Sequence, residues 1–210
     1  MIFLLDNGHG GIINGIYQTK GKRSFVLEDG RQLYEGEFNR AIVARLIELL
    51  EAARIKYVNI APEMKDVSLK ERVNRANYWT KNSSENCLYI SIHANGFGDK
   101  WNSANGWGVY TSKGQTKSDL YALKFHQEIL KEFPDKIMRI DWTDGDIDKE
   151  SNFYVLKNTI CPAILTENFF MTNKKECELL LSKEGRDRIA KAHFKAIKKI
   201  NENNLNNLFN

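Results

Sequence analysis

The chain has 210 residues, 42% of them hydrophobic and 11% aromatic, which is enough to bury one sizeable core and excludes wholesale disorder. Its 31 Lys and Arg against 27 Asp and Glu leave a net charge of +4, too small a surplus to demand nucleic acid as a partner. No apolar run reaches the roughly 18 residues of a membrane span, so no membrane partner is expected either.

In chain order, Ile2–Asp6 predicts a first strand. The apolar run at this end is short and lacks a basic n-region, so no secretory leader is expected there. Phe38, Ala41, Ile42, Leu46, Leu49 and Ala53 keep the helical period and predict a helix over Glu37–Arg54. A strand over Tyr57–Ala61 follows, then a helix from Ser68 to about Lys81 opened by the Ser68/Glu71 capping pattern. Leu88–His93 and Gly108–Thr111 read as strands, and Lys117–Phe133 as a helix stopped by Pro134. Phe153–Leu156 and Ala163–Glu167 read as the last strands. Asn173 with Glu176 caps a short helix reaching Leu181, and a final helix covers about Glu184–Asn201.

This alternation predicts an α/β fold: a single domain with a six-stranded, mostly parallel sheet and about five helices on both faces. The domain is expected over residues 1–201, with an Asn-rich tail, 202–210, that is frayed or disordered. Three long loops, 10–34, 95–106 and 134–152, are marked as functional or flexible by their length. Cys87, Cys161 and Cys177 are too widely spaced for a disulfide framework or a thiolate metal site and read as buried thiols.

Ligands of open α/β sheets bind beyond the carboxyl ends of the strands, so the polar residues there carry the candidate chemistry. The first strand runs into DNGHGG with His9, the strand at Leu88 ends in SIHANG with His93, and the strand at Ala163 ends in TENFF with Glu167. If these strands are parallel neighbours, two imidazoles and a carboxylate converge on one edge. That is a donor set for zinc or for acid–base catalysis. The glycine-rich turn does not match a phosphate-binding fingerprint.

DNGHGG (6–11), YEGEFN (34–39), SLKERVNRAN (68–77), SIHANG (91–96) and PAILTENFFMTN (162–173) occur in this order. The series resembles the zinc-dependent N-acetylmuramoyl-L-alanine amidases over about residues 2–200. The resemblance implies Zn2+ held by His9, Glu35 and His93, with Glu167 catalytic. It further implies peptidoglycan as the partner, cut between the lactyl group of N-acetylmuramic acid and L-alanine in lysis or remodelling of the cell wall. Glu35 and Glu37 both fall near the ligand position. The family's Glu lies four residues before an Asn, which selects Glu35 through Asn39 and leaves Glu37 at the helix start. Asn7 stands where the family usually has Pro. Glu167-Asn168-Phe169-Phe170 replaces the usual Glu-Thr-Gly-Phe, which bears on the backbone beside Glu167.

Two other readings stand beside this one: a zinc peptidase cutting within the stem peptide, and an inactive peptidoglycan-binding module. The site of action would be the bacterial cell wall, reached either as a phage lysin through a membrane hole or by export. Asp6 either orients His9 or caps the turn after the strand. The carboxylates Asp141, Asp144, Asp146, Asp148 and Glu150 miss the EF-hand spacing and read as a solvated acidic loop. Trp101, Trp107 and Trp142 lie in the long loops, where packing onto the core is expected more than stacking on substrate. His126 and His193 read as residues of helix faces.

Overall fold

A computed structural model describes residues 1–206 of the chain. β1 (Ile2–Asn7) leads to a small hairpin of β2 (Ile12–Ile13) and β3 (Ile16–Tyr17), then to α1 (Glu35–Ala52) and β4 (Tyr57–Asn59). α2 (Leu69–Asn82), β5 (Cys87–Asn95), β6 (Gly108–Thr111), α3 (Lys117–Glu132) and β7 (Lys149–Glu150) follow. α4 (Tyr154–Asn158), β8 (Ala163–Phe170), α5 (Lys174–Leu181) and α6 (Lys183–Asn206) complete the chain. The main sheet has the order β4-β1-β5-β8-β6-β7 and is parallel except where β6 meets β8. The expected single-domain α/β sheet of six strands is therefore present, with six helices among the described residues.

The strands are buried on both faces, and their side chains alternate between two cores. Phe3, Leu5, Leu88, Ile90, Ile92 and Ile164 point into the larger core, with α1, α3 and α6. Leu4, Tyr89, Ala163 and Leu165 point into the smaller one, where α2 and α4 contribute Val73, Ala76, Val155 and Leu156. His193, expected on a partly buried face, is fully buried in the larger core. Its Nδ1 lies 2.9 Å from the Ile189 carbonyl and its Nε2 3.1 Å from Thr166 Oγ1. All three cysteines are buried and free, as the sequence indicates.

Strand ends shift by one to three residues from expectation, and larger departures are found at α1, at Phe153–Leu156 and at the end of α6. α1 begins at Glu35, two residues early, because its first amides are satisfied from the loop before it: Glu35 N–H by the Lys22 carbonyl at 3.0 Å and Gly36 N–H by Tyr17 Oη at 2.8 Å. Tyr34, the N-cap residue, supplies no side-chain bond, so no local signal marks the start. Phe153–Leu156 is not a strand. Its apolar residues form the single turn of α4, with Val155 and Leu156 buried against the sheet. The sixth strand is instead Lys149–Glu150, a short charged edge of the kind that resists pairing with other chains. α6 runs past Asn201 to Asn206, so part of the expected tail is helical; residues 207–210 lie outside the described residues.

β8 carries an irregularity that positions the site. Its register with β5 shifts between His93 and Asn95, and Phe169 takes φ 64°, in the left-handed region. That is the position where the resembling family has Gly, so the backbone keeps a conformation that glycine adopts freely and phenylalanine does not. The Phe169 ring is fully buried against Phe133, with centroids 5.1 Å apart, and its packing offsets the strain. Replacing Phe169 with Gly relieves about 1–2 kcal/mol of backbone strain but removes a buried aromatic worth about 3–5 kcal/mol. The expected result for Phe169→Gly is a net loss of about 1–4 kcal/mol, read from urea denaturation of both proteins.

Candidate metal centre and groove

β1, β5 and β8 are parallel neighbours, so the three strand ends that the sequence singled out do meet. His93 pairs in register with Glu167, and period-two alternation puts Asp6, Ser91, His93 and Glu167 on the α2 and α4 face. His9 follows β1 in a turn, with φ 68°. Three side chains hold that turn. Asn39 Nδ2 donates to the Gly8 carbonyl at 2.9 Å, Arg40 donates to the His9 carbonyl at 2.9 Å, and Arg72 donates to the carbonyls of Asn7 at 2.9 Å and His9 at 3.3 Å. Gly8 is required on steric grounds, since a Cβ there would sit 2.1 Å from the His93 ring. A Cβ at Gly36 would sit 1.9 Å from the Gly10 carbonyl oxygen, so α1 and the His9 turn touch backbone to backbone.

Glu35, at the first turn of α1, is 2% exposed. Its Oε1 lies 2.9 Å from His93 Nδ1 and 3.3 Å from His9 Nε2, and the two imidazoles meet edge to face with centroids 4.9 Å apart. Burial alone would raise its pKa, but hydrogen bonds and charge interactions with the two imidazoles outweigh this and hold the carboxyl far below the usual range. One donor atom from each of His9, Glu35 and His93 falls within 4.8 Å of the others, close enough for one ion. Glu37 is turned elsewhere: its Oε1 accepts from the Ile12 amide at 2.9 Å.

Glu167 sits beside this cluster, and its Oε2 is buried without a hydrogen-bond partner. Burial, and then the negative charge of Glu35, push its pKa well above the usual carboxylate range, with Lys22 acting weakly the other way. Asn168 fixes the strand ends around it. Its Nδ2 donates to the His93 carbonyl at 2.9 Å, and its Oδ1 accepts from the indole of the buried Trp107 at 2.9 Å.

Asp6 neither orients His9 nor caps the turn. It is buried, ion-paired with Arg72, and accepts from the hydroxyls of Tyr89 and Ser91 at 2.7 Å each. Burial raises its pKa, but Arg72 and the two hydroxyls more than compensate, so the carboxyl lies below its ordinary value. Arg72 was not singled out from the sequence, although it lies within SLKERVNRAN; only a buried counter-charge for Asp6 would have pointed to it.

The cluster opens into a groove of about 1320 Å³. Its aromatic lining is Phe25, Phe97, Phe153 and Tyr154, and Lys20, Lys22 and Arg23 supply positive charge. None of the three loop tryptophans lines it. Trp107 is core, Trp101 packs on Phe25 at 5.4 Å, and Trp142 is exposed. His126 stands apart, half-buried near Trp107.

An α/β protein with two imidazoles and a buried carboxylate gathered at the carboxyl ends of its parallel strands is a candidate metalloprotein with an open binding groove. Residues 3–199 match the family model of the N-acetylmuramoyl-L-alanine amidases, and the chain belongs to that family. It is 30% identical to the N-acetylmuramoyl-L-alanine amidase CwlM of Bacillus licheniformis, the match covering 90% of this chain and 64% of that protein. It is 24% identical to the endolysin of Bacillus phage SPP1, over 93% of this chain and 64% of that protein. The chain thus spans a little under two-thirds of the length of these two relatives. An N-acetylmuramoyl-L-alanine amidase of Nostoc punctiforme has the same fold, with a TM-score of 0.73 at 25% identity over 96% of this chain and 97% of that one.

Arg72 is the residue on which this arrangement is most exposed to test. Arg72→Met leaves the buried Asp6 carboxylate without its counter-charge, and such losses cost about 3–5 kcal/mol. Urea denaturation of the variant is expected to show a loss of that size, whereas Arg45→Met, which removes surface ion pairs with Glu48 and Asp187, should cost only about 1 kcal/mol.

Proposed function

We propose that this chain hydrolyses the amide bond between the lactyl group of N-acetylmuramic acid and L-alanine in peptidoglycan, and that it acts at the bacterial cell wall with zinc as its cofactor. The observation that carries the reading is the convergence of His9 Nε2, His93 Nδ1 and Glu35 Oε1 beside the unpartnered Glu167 carboxyl, in a groove of polymer-binding size. Family membership supplies the bond to be cut. Residues 1–201 are assigned as the catalytic unit, with residues 202–206 extending its last helix.

The residues present fit the metal. Two imidazole nitrogens and one carboxylate form a catalytic zinc donor set that leaves a coordination position open. His9, Glu35 and His93 would hold the ion, and when bound it supplies Lewis acidity toward the scissile carbonyl and toward water. The rest of the work falls to the chain. Glu35 brings a buried negative charge that compensates a cation. Asn168 and the β5–β8 register keep Glu167 against His93. Glu167 works in its ionised form, which the positive charge of an ion held by its neighbours would favour against the burial and Glu35 charge that otherwise raise its pKa; it takes a proton from the attacking water and returns it to the leaving amine. The groove lysines and arginine face the carboxylates of a stem peptide, and the aromatics offer apolar faces to its sugar and peptide.

Digestion of purified peptidoglycan, with mass spectrometry of the products, tests the bond assignment. Free L-alanine amino termini and intact glycan are expected. Cuts inside the stem peptide, or no release, overturn it. Chelation should abolish turnover and stoichiometric zinc restore it. Glu35→Ala should lose zinc on dialysis. Glu37→Ala should keep it and lose about 1–2 kcal/mol of stability, because the Ile12 amide forfeits its acceptor.

Glu167→Gln separates catalysis from structure. It should retain zinc and its melting temperature while turnover falls by roughly 10²–10⁴-fold, the usual worth of a positioned acid–base group. A folded, zinc-loaded variant with normal turnover removes Glu167 from the mechanism.

A further inference from the structure

The acidic loop is solvated over residues 142–145, as its composition suggests, but not at its C-terminal end. Asp148 is 1% exposed, and Asp146 is half-buried. With Asp119 they bring one carboxylate oxygen each within 4.8 Å of the others, far from the His9 cluster in the sequence and on the opposite edge of the sheet from β4. Asp119 lies in the first turn of α3, where Thr116 and its carboxylate form a reciprocal cap. Asp148 precedes β7 and accepts from Thr111 Oγ1, at the end of β6, through one oxygen at 2.5 Å. Asp146 accepts from Gln115 Nε2 at 3.0 Å.

What these bonds leave over is the informative part. Asp148 Oδ1 and Asp146 Oδ1 are both buried with no hydrogen-bond partner. Among the described residues no Lys or Arg pairs with any of the three; the loop's nearest lysine, Lys149, reaches Asp141 at 3.9 Å instead. A buried carboxylate with an unsatisfied oxygen costs more than a neutral group left in the same state, and like charges at this separation add to the cost. Either a proton or a cation must compensate.

We propose that Asp119, Asp146 and Asp148 form a calcium site that ties the β7 edge and the loop before it to the first turn of α3. The donor set is oxygen only, without the imidazole or thiolate that would favour zinc. Calcium takes six to eight oxygens at about 2.3–2.6 Å in flexible geometry, which suits three carboxylates carried on a loop and a helix end, whereas magnesium demands a near-ideal octahedron at about 2.1 Å and keeps most of its waters. It would satisfy both orphaned oxygens at once. Burial pushes the Asp148 carboxyl up to about 7 against the Thr111 hydrogen bond, helped by a close carboxyl–carboxylate contact with Asp146 and by the Asp146 and Asp119 charges, so a proton shared between the two carboxyls is what a bound cation would displace. The tie matters for the groove because Phe153 and Tyr154, which wall it, follow β7 directly.

The experiment titrates calcium chloride into the chelator-stripped full chain at pH 8 by calorimetry, with melting curves in parallel. One calcium per chain is expected, with a rise in melting temperature of roughly 5–10 °C at about 100 times the dissociation constant. Asp148→Asn keeps an oxygen for Thr111 and removes a charge. It should fold, melt no lower than wild type without calcium, and bind calcium at least tenfold more weakly. Asp146→Asn should behave alike. His93→Ala should bind calcium as wild type does, which separates this site from the His9 cluster. Absence of binding up to about 10 mM calcium, beyond the weakest range of protein calcium modules, overturns the proposal. Undiminished binding in Asp148→Asn, or its loss in His93→Ala, overturns it equally.

Discussion

Arg72 reaches from α2 across the carboxyl end of β1 and places its donors on Asp6, on the carbonyls of Val67, Asn7 and His9, and near Asp66. Everything at the candidate metal centre depends on this contact. The turn after β1 has no secondary structure of its own, and His9 within it holds a left-handed backbone that an L residue adopts only when its surroundings impose it. The guanidinium, with Asn39 and Arg40 from α1, imposes it. The ion pair is retained at a buried position where a hydrophobic pair of equal volume would be no less stable. Its value is geometric: a planar donor fork addresses several acceptors at fixed angles, and a greasy contact would not fix the orientation of the His9 carbonyl.

Strand alternation does the remaining positioning at no conformational cost. Once β1, β5 and β8 lie side by side, residues two apart share a face, so Leu4 and Asp6, Tyr89, Ser91 and His93, and Leu165 and Glu167 must all turn toward α2 and α4. The same rows that build the smaller core become polar as they approach the strand ends. Thr166, one residue off this period, turns the other way and meets His193. The bulge at Asn168–Phe169 breaks the period at the one place where Glu167 must stay forward while the strand end is drawn into the larger core.

These contacts divide what the sequence discloses from what it conceals. His9, His93 and Glu167 were legible because strand ends in an α/β sheet are the sites of ligand binding, and each follows an apolar run too short to be anything else. Glu35 was not legible from pattern alone. Its helix starts on acceptors supplied by Lys22 and Tyr17, more than ten residues upstream, and local capping rules favoured a later start at Glu37. α4 was misread because Phe153, Tyr154, Val155 and Leu156 have strand propensity, and only the sheet beneath them decides that they pack as a helical turn. β7 was missed for the converse reason: Lys149 and Glu150 carry no strand signal and are held by pairing to β6. Asp6 was weighed by its sequence neighbours, whereas its partners lie 66, 83 and 85 residues away.

The unequal covering of the two faces decides where a polymer can enter. On the larger core, α1, α3 and α6 pack along the sheet. On the other face α2 is followed only by α4, which has five residues and covers little of β8. Arg72 covers the carboxyl end of β1 on that side, while the ends of β5 and β8 open into the groove through His93 and Glu167. A strand in place of α4 would have lain in the sheet plane and offered no wall. As a helical turn standing on the sheet it buries Val155 and Leu156 and leaves Phe153 and Tyr154 exposed, where with Phe25 and Phe97 of the long loops they line the groove. The groove thus exists because one layer of the fold is incomplete, and the incomplete layer is on the face to which the strand period delivers the reactive groups.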